Sequence, residues 1–249
     1  MIDIHTHVLP GIDDGAKTVE CSEEMLRLLQ SQGVDQVVLT SHYYGMRRLP
    51  QQFLAAREEA YARLRGRVPQ GITLHLGAEV RFSSILTAAQ CEKLTIANSR
   101  YLLFELPYES RWQSDMLSRL CRFITESDFV PIVAHFCRYE AIYARPEILF
   151  ELADMGCLLQ VNADAMFEKR SSRLVKAAFK HGLVHCLGSD CHNTGIRAPR
   201  YAAAVQQIKA WGFAEQAEKL QQNMANILAD KPVEREAFSC VKKFFGSYR

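Results

Sequence analysis

The residues able to do chemistry recur at one kind of place in this chain. It opens Met1-Ile2-Asp3-Ile4-His5-Thr6-His7-Val8-Leu9-Pro10-Gly11-Ile12-Asp13-Asp14-Gly15, an apolar run that closes on two histidines. Side chains at i and i+2 of a strand share a face, so His5 and His7 can offer both imidazoles to one metal ion from a single stiff element. Pro10 and Gly11 break the strand, and the following turn brings a carboxylate beside the pair, Asp14 in preference to Asp13. Taken alone, a His-x-His pair reads as exposed or hydrogen-bonded side chains. The same event recurs, however. Later apolar runs carry His42, Glu79, Glu105, His135, and then Asp190 and His192, again two apart. Glu105 sits among apolar neighbours, a costly place for a carboxylate unless something cationic meets it.

Imidazole and carboxylate donors without thiolate suit Mn, Fe or Zn better than copper or an iron–sulfur cluster. His5, His7, Asp14, His42, Glu79, Glu105, His135, Asp190 and His192 exceed the needs of one ion, so two or three divalent ions are expected. Three such ions against the four carboxylates leave a local charge near +2, by formal count about +6 less 4, which attracts a phosphate dianion.

The elements that must position these groups follow from periodicity. Strand-like runs over 1–9, 33–42, 72–82, 101–107, 130–135, 157–162 and 183–192 alternate with helical spacing over 18–32, 49–68, 85–94, 114–127, 146–155, 171–181, 198–211, 214–228 and 233–245. Such alternation argues for an α/β fold with a parallel sheet. A closed barrel would gather the strand ends at one mouth, whereas an open sheet would spread them along an edge. No G-x-G-x-x-G or P-loop follows any strand. With no linker or repeat, the chain is expected to form one domain over 1–249. His75, mid-strand, reads as structural.

Composition bounds the rest. With 48% hydrophobic and 23% charged residues, 249 residues can bury a large core. A formal charge of +2 gives no overall bias toward nucleic acid, and no apolar run approaches the roughly 20 residues that cross a bilayer. The run beginning at Met1 is read as mature fold without a signal peptide. The 8 cysteines, lacking any C-x-x-C pair, read as reduced thiols of a cytoplasmic protein.

The order H-x-H, Asp, His, Glu, Glu, His, D-x-H resembles the polymerase and histidinol phosphatase (PHP) superfamily over nearly the whole chain. Within it, the segment from Ile2 to Thr18 is similar to the signature of the CpsB/CapC bacterial tyrosine-protein phosphatases. The resemblance implies a distorted seven-stranded (β/α)7, TIM-like barrel, a two- or three-metal site usually holding manganese, and dephosphorylation of tyrosine kinases that control capsule or exopolysaccharide export. It also implies that Arg138, in His135-Phe136-Cys137-Arg138, and Arg197, after Asp190-Cys191-His192, face the phosphate. The sequence departs from the family at Phe136-Cys137, where Pro-Glu is usual, and at Ser41-His42-Tyr43, where Pro-His-His is usual. Both ligand histidines survive.

The chemistry expected is in-line attack on phosphorus by a hydroxide bridging two metals, with Glu105 bridging the same pair and the arginine forks holding the non-bridging oxygens. A phenolate, with a free pKa of about 10, leaves without a strong general acid. Three alternatives stay open. The same ligands would serve a histidinol-phosphate or other small phosphoester phosphatase, and a metal-bound regulatory protein without turnover would also carry them. Cys191 to Arg197 spells C-x5-R, the loop of cysteine-dependent phosphatases, although an adjacent Asp190 would raise the thiol when a nucleophile needs it lowered. The stretches 41–48 and 107–112 are aromatic-rich loops that could accept a phosphotyrosine ring or a flexible tyrosine-rich tail, or simply pack on neighbouring helices.

Overall fold

The computed structural model describes residues 1–83, 85–109, 111–112, 114–235, 237–244 and 247–248. Its first strand, β1 (Ile2–Thr6), is buried at every position and runs parallel to β2 (Gln36–Leu39), which in turn pairs in parallel with β4 (Thr73–Leu76). A second parallel ladder runs β3 (His42–Tyr43), β5 (Glu79–Arg81), β6 (Tyr101–Glu105), β7 (Val130–Val133), β8 (Leu158–Asn162) and β9 (Cys186–Gly188). Beyond β9 the sheet returns to its start: Thr6 bridges Cys191 in parallel, Asp190 N donates to His5 O (2.8 Å), and His7 N donates to Cys191 O (3.0 Å). Every main pairing is parallel, so all the carboxyl ends lie on one rim.

Two of the expected strands are each broken into a pair. The run over 33–42 stops at Thr40 because the Thr40 hydroxyl takes ladder positions itself, accepting from Thr6 N (3.0 Å) and donating to Thr6 O (3.1 Å). The run over 72–82 stops at Gly77, whose carbonyl accepts from Arg57 Nη1 (3.0 Å). After each break the chain re-pairs in the second ladder, which is how the sheet curls.

Between the strands lie α1 (Val19–Ser31), α2 (Pro50–Leu64), α3 (Ala88–Cys91), α4 (Ser114–Thr125), α5 (Glu140–Ala144), α6 (Ile148–Asp154), α7 (Lys169–Lys180), α8 (Tyr201–Ala210) and α9 (Ala214–Leu228). α1 starts where the Thr18 hydroxyl accepts from Cys21 N (3.3 Å) and stops where Gly33, at φ +81°, lets Val34 N reach back to Leu29 O. Its buried Met25, Leu26 and Leu29 form the stripe that packs on the sheet. The helix expected over 85–94 is only the single turn of α3. The helix expected over 233–245 is absent among the described residues: Lys243–Phe244 (β10) instead pairs antiparallel with Ser247–Tyr248 (β11). Glu236 and Phe245 of that expectation lie outside the described residues. Val241 is buried and Phe238 packs against the core, both from irregular backbone.

One buried group ties the fold to pH. His185, just before β9, accepts from Leu159 N at Nδ1 (3.0 Å), while its carbonyl accepts from Asn223 on α9. Burial, with Arg235 adding to it, pushes its pKa down to about 4. The unfolded chain binds this proton from about pH 6.5 downward and the folded chain refuses it until about 4, so stability is lost as pH falls through that window. Urea unfolding between about pH 7 and 4 should cost the wild type about 3 kcal/mol more than a His185→Gln variant. Parallel curves for the two proteins would refute the assignment.

Candidate metal centre

The turn after β1 sets the first donors. Gly15 must be glycine, since a Cβ there would lie 2.1 Å from His7 O. Held this close, the loop delivers Asp13 under His7, its Oδ2 accepting from His7 Nδ1 (2.9 Å) and from His42 N (2.9 Å), and its Oδ1 from Gly15 N (2.9 Å). Burial alone would raise Asp13, but the His7 imidazole and these amides hold it well below the usual carboxylate range. Asp14 points the other way: it is 60% exposed, with Oδ1 3.4 Å from both His42 Nε2 and His192 Nε2. Asp13 therefore orients a histidine, and Asp14 is the acid that faces outward with the imidazoles.

Gly188 leaves the room for His5, because a Cβ there would sit 2.5 Å from His5 Cβ. His5 Nδ1 lies 3.1 Å from Gln160 Oε1, which also accepts from His135 N (2.8 Å). Gln160 Nε2 donates to Val161 O and to Asn162 Oδ1, fixing the amide's orientation, and Asn162 Nδ2 donates to Asp190 Oδ2 (2.8 Å). His192 Nδ1 in turn lies 2.9 Å from Asp190 O. Each of these imidazoles thus places its proton on Nδ1 and keeps a bare Nε2 for the centre of the barrel mouth.

There the donors converge. His5 Nε2 and His7 Nε2 are 3.1 Å apart. Glu79 Oε2 is 3.2 Å from the first and 3.3 Å from the second, and Asp190 Oδ1 is 3.5 and 3.3 Å away. His42 Nδ1 stands 2.9 Å from Glu79 Oε2, and His135 Nε2 stands 2.8 Å from Glu79 Oε1. Three groups have ligand atoms within 4.8 Å of one another: His7, Asp14, His42, His192; His5, His7, Asp190; and His42, Glu79, Glu105. His135 Nδ1 and His192 Nε2 are buried without a hydrogen-bond partner. Lone pairs facing one another at such distances fit divalent cations between them. His135 enters none of the three groups and touches the cluster through Glu79.

Arg138 Nη1 and Arg197 Nη2 both end on Asp190 Oδ2, at 2.8 and 3.0 Å, and Arg197 Nη1 is 3.6 Å from Asp14 Oδ2. Each is about a third exposed, so their forks reach the open side of the cluster. Burial opposes the charge on Asp190, yet the neighbouring His5, His7 and Arg138 hold its carboxyl well below the usual range. Arg81 Nη1 meets Glu105 Oε2 at 3.0 Å, supplying the cation that the apolar setting of Glu105 demanded. The sequence reading missed Asp13, Gln160, Asn162 and Arg81 in these positions.

Loop aromatics frame the mouth. Tyr44 stacks on His42 (ring centroids 5.2 Å) and Tyr108 on His135 (6.1 Å). A cavity of about 390 Å³ opens between Tyr44, Tyr108, Arg81 and Glu105, and another of about 470 Å³ lies beside Asp14, His42 and Arg47. Trp112 instead caps Pro107 O and packs on Tyr139, the structural alternative; Ser110 of that loop lies outside the described residues. His75 pairs with Gln36 (3.1 Å), a structural role. Cys191 is 1% exposed and burial pushes its thiol up to about 12, which removes it as a nucleophile.

The family described as "Capsular polysaccharide synthesis, CpsB/CapC" matches residues 1–229. The chain belongs to the CpsB/CapC family. It is 30% identical to tyrosine-protein phosphatase CpsB of Streptococcus pneumoniae over 247 residues, covering 93% of this chain and 99% of that one. Tyrosine-protein phosphatase YwqE of Bacillus subtilis is 28% identical over 265 residues, spanning 100% of both. A crystal structure from work on YwqE and CpsB, described as "unique metal-dependent tyrosine phosphatases", superposes with a TM-score of 0.85 at 24% identity, over 98% of this chain and 100% of the other. A histidinol phosphate phosphatase from Lactococcus lactis shares the fold more distantly, with a TM-score of 0.51 at 14% identity over 87% of this chain and 93% of that one. For this CpsB/CapC member, replacing Asp13 by Asn should weaken Mn²⁺ binding roughly 10- to 100-fold, the usual cost of losing a group that orients a ligating histidine. Calorimetric titration of the folded variant checks it; unchanged affinity would leave Asp13 a mere turn residue.

Proposed function

We propose that this chain is a metal-dependent protein-tyrosine phosphatase acting on a phosphotyrosyl protein of capsular or exopolysaccharide synthesis, the tyrosine-rich tail of a bacterial tyrosine autokinase. The observation that carries this reading is the end-to-end likeness to tyrosine-protein phosphatases, in a chain whose imidazoles and carboxylates meet at one mouth. His5, His7, Asp14, His42, Glu79, Glu105, His135, Asp190 and His192 would hold two or three divalent ions, Mn²⁺ in the first place and Fe or Zn otherwise. Such ions would supply a water made acidic enough to act near neutral pH and a positive field for the phosphate.

The chain's own residues do the rest. Asp13 and Gln160 hold His7 and His5 in the tautomer that points Nε2 inward. Arg138 and Arg197 present guanidinium forks suited to non-bridging phosphate oxygens, and Asp190 keeps both forks in place before substrate arrives. The slot between Tyr44 and Tyr108 suits a phenyl ring, with Arg81 on its edge. The reading takes 1–249 as one domain. No helix among the described residues is long and apolar enough to cross a membrane. The free state of all 8 cysteines supports a cytoplasmic location.

Asp14 lies open at the mouth, and a ligand set that leaves an accessible side suits turnover better than a purely structural or regulatory metal. Stripping the metals with a chelator should abolish hydrolysis of a phosphotyrosyl peptide, and Mn²⁺ should restore it, with histidinol phosphate a much poorer substrate. Full activity of the stripped protein would remove the reading, and a preference for histidinol phosphate would move it to small phosphoesters. Arg197→Ala should lower kcat roughly 100-fold, the cost of one donor to a charged transition state. Cys191→Ser should keep its metal-dependent turnover.

A further inference from the structure

The exposed large apolar side chains of the described residues are Met46, Leu49, Ile85, Tyr108, Phe167 and Ile196. Scattered singly, such residues need no explanation. Here their placement is not scattered. Met46 and Leu49 lie between β3 and α2, Ile85 between β5 and α3, Tyr108 between β6 and α4, Phe167 between β8 and α7, and Ile196 between β9 and α8. Every one is on a loop that leaves the carboxyl end of a strand, and in a parallel curled sheet those loops all surround the same rim. Among the described residues, the helices and the loops entering the strands contribute none of them. Met46 and Tyr108 line the same cavity as Glu105, so this apolar material is continuous with the ligand cluster. Arg47 and Arg48, both exposed and lining the cavity that contains Asp14, have no carboxylate partner among the described residues.

We infer that these side chains form an apolar collar that selects the substrate segment: the phosphotyrosine enters with apolar residues beside it that seat on Met46, Leu49 and Ile85, and with an acidic residue that meets Arg47 and Arg48. This rests on the phosphatase reading and adds a substrate class to it. The occupant is a protein segment because the collar rings the entrance through which the phosphoryl group must pass. Arg47, over the Tyr44 ring, and Arg48 lack a carboxylate partner among the described residues and give the occupant a sign, since they complement acid.

The test uses the full-length, Mn²⁺-loaded protein and three substrates: free phosphotyrosine, a phosphotyrosyl peptide with Leu, Ile and Glu flanks, and the same peptide with Ser and Asn flanks. The apolar, acidic peptide should show the lowest KM. Leu49→Ser, and separately Ile85→Ser, should each raise that KM about tenfold, the loss expected for an apolar contact of this size. They should leave kcat, and the hydrolysis of free phosphotyrosine, unchanged. Equal KM for the two peptides, or variants that slow free phosphotyrosine as much as peptide, would overturn the collar while leaving the phosphatase reading in place. No turnover of any of the three by the loaded wild type would remove both. Sedimentation of the same proteins closes the remaining route: a wild-type dimer that the collar variants dissociate would make this rim a self-interface, and binding of the wild type to phospholipid vesicles would make it a membrane face, either result refuting a peptide occupant.

Discussion

Two imidazole nitrogens, His5 Nε2 and His7 Nε2, face each other across 3.1 Å with a buried carboxylate oxygen on either side, a crowding of lone pairs and negative charge that a proton or a cation must relieve. Gln160 Oε1 and Asp13 Oδ2 hold the Nδ1 protons, so each Nε2 either takes a second proton, which the carboxylates beside it favour, or turns its lone pair to a cation. A cation resolves the conflict, and the structure around it reads as the means of keeping the donors in place until one is bound. Gly15 and Gly188 lack side chains because β-carbons there would collide with His7 and His5. His135 and Asp190 sit at φ +32° and +52°, conformations that non-glycine residues avoid unless their surroundings force them. Ala97, Asn98 and Asp230 also take positive φ elsewhere in the chain, but at His135 and Asp190 the strained backbone carries the donors themselves.

Asp190 shows how the parts are coupled. One of its oxygens faces the two histidines while the other is shared by Arg138, Arg197 and Asn162. A single carboxylate therefore fixes the distance between the cation-binding face and the arginine forks. On the proposed reading the phosphate and the ions would need a common frame, and a rigid three-atom group between them would provide one. Flexible surface arginines would have to lose more side-chain freedom on each binding event.

The sequence showed the donors because each is a polar residue in an apolar run, which is costly unless chemistry repays it. His42, Glu79 and Asp190 stand out for that reason, and the seven-run alternation followed from the same buried strands. Gln160 and Asn162 did not stand out. Neutral amides at the end of β8 look like any strand terminus, and only the tertiary arrangement puts them against His5 and Asp190. The breaks at Thr40 and Gly77 were hidden too, because a hydroxyl that replaces a ladder amide leaves the apolar pattern intact. At the carboxyl end, apolar residues of 233–245 reach the core along irregular backbone, a pattern that periodicity cannot tell from a helix.

Cys191 makes the sharpest case for reading chemistry from place. By spelling it begins C-x5-R, and a pattern search would take it for a nucleophile. In the fold its carbonyl accepts from His7 N, its backbone bridges Thr6, and its amide lies against Ser189 Oγ (3.2 Å), so the residue closes the curled sheet on itself. A thiolate there would lie between the Asp3 and Asp190 carboxylates in a dry interior, which is why its proton stays on. The closing contact that denies Cys191 a catalytic role is the same one that carries Asp190 and His192 up beside His5 and His7, so the thiol could be freed only by opening the seam that assembles the donors.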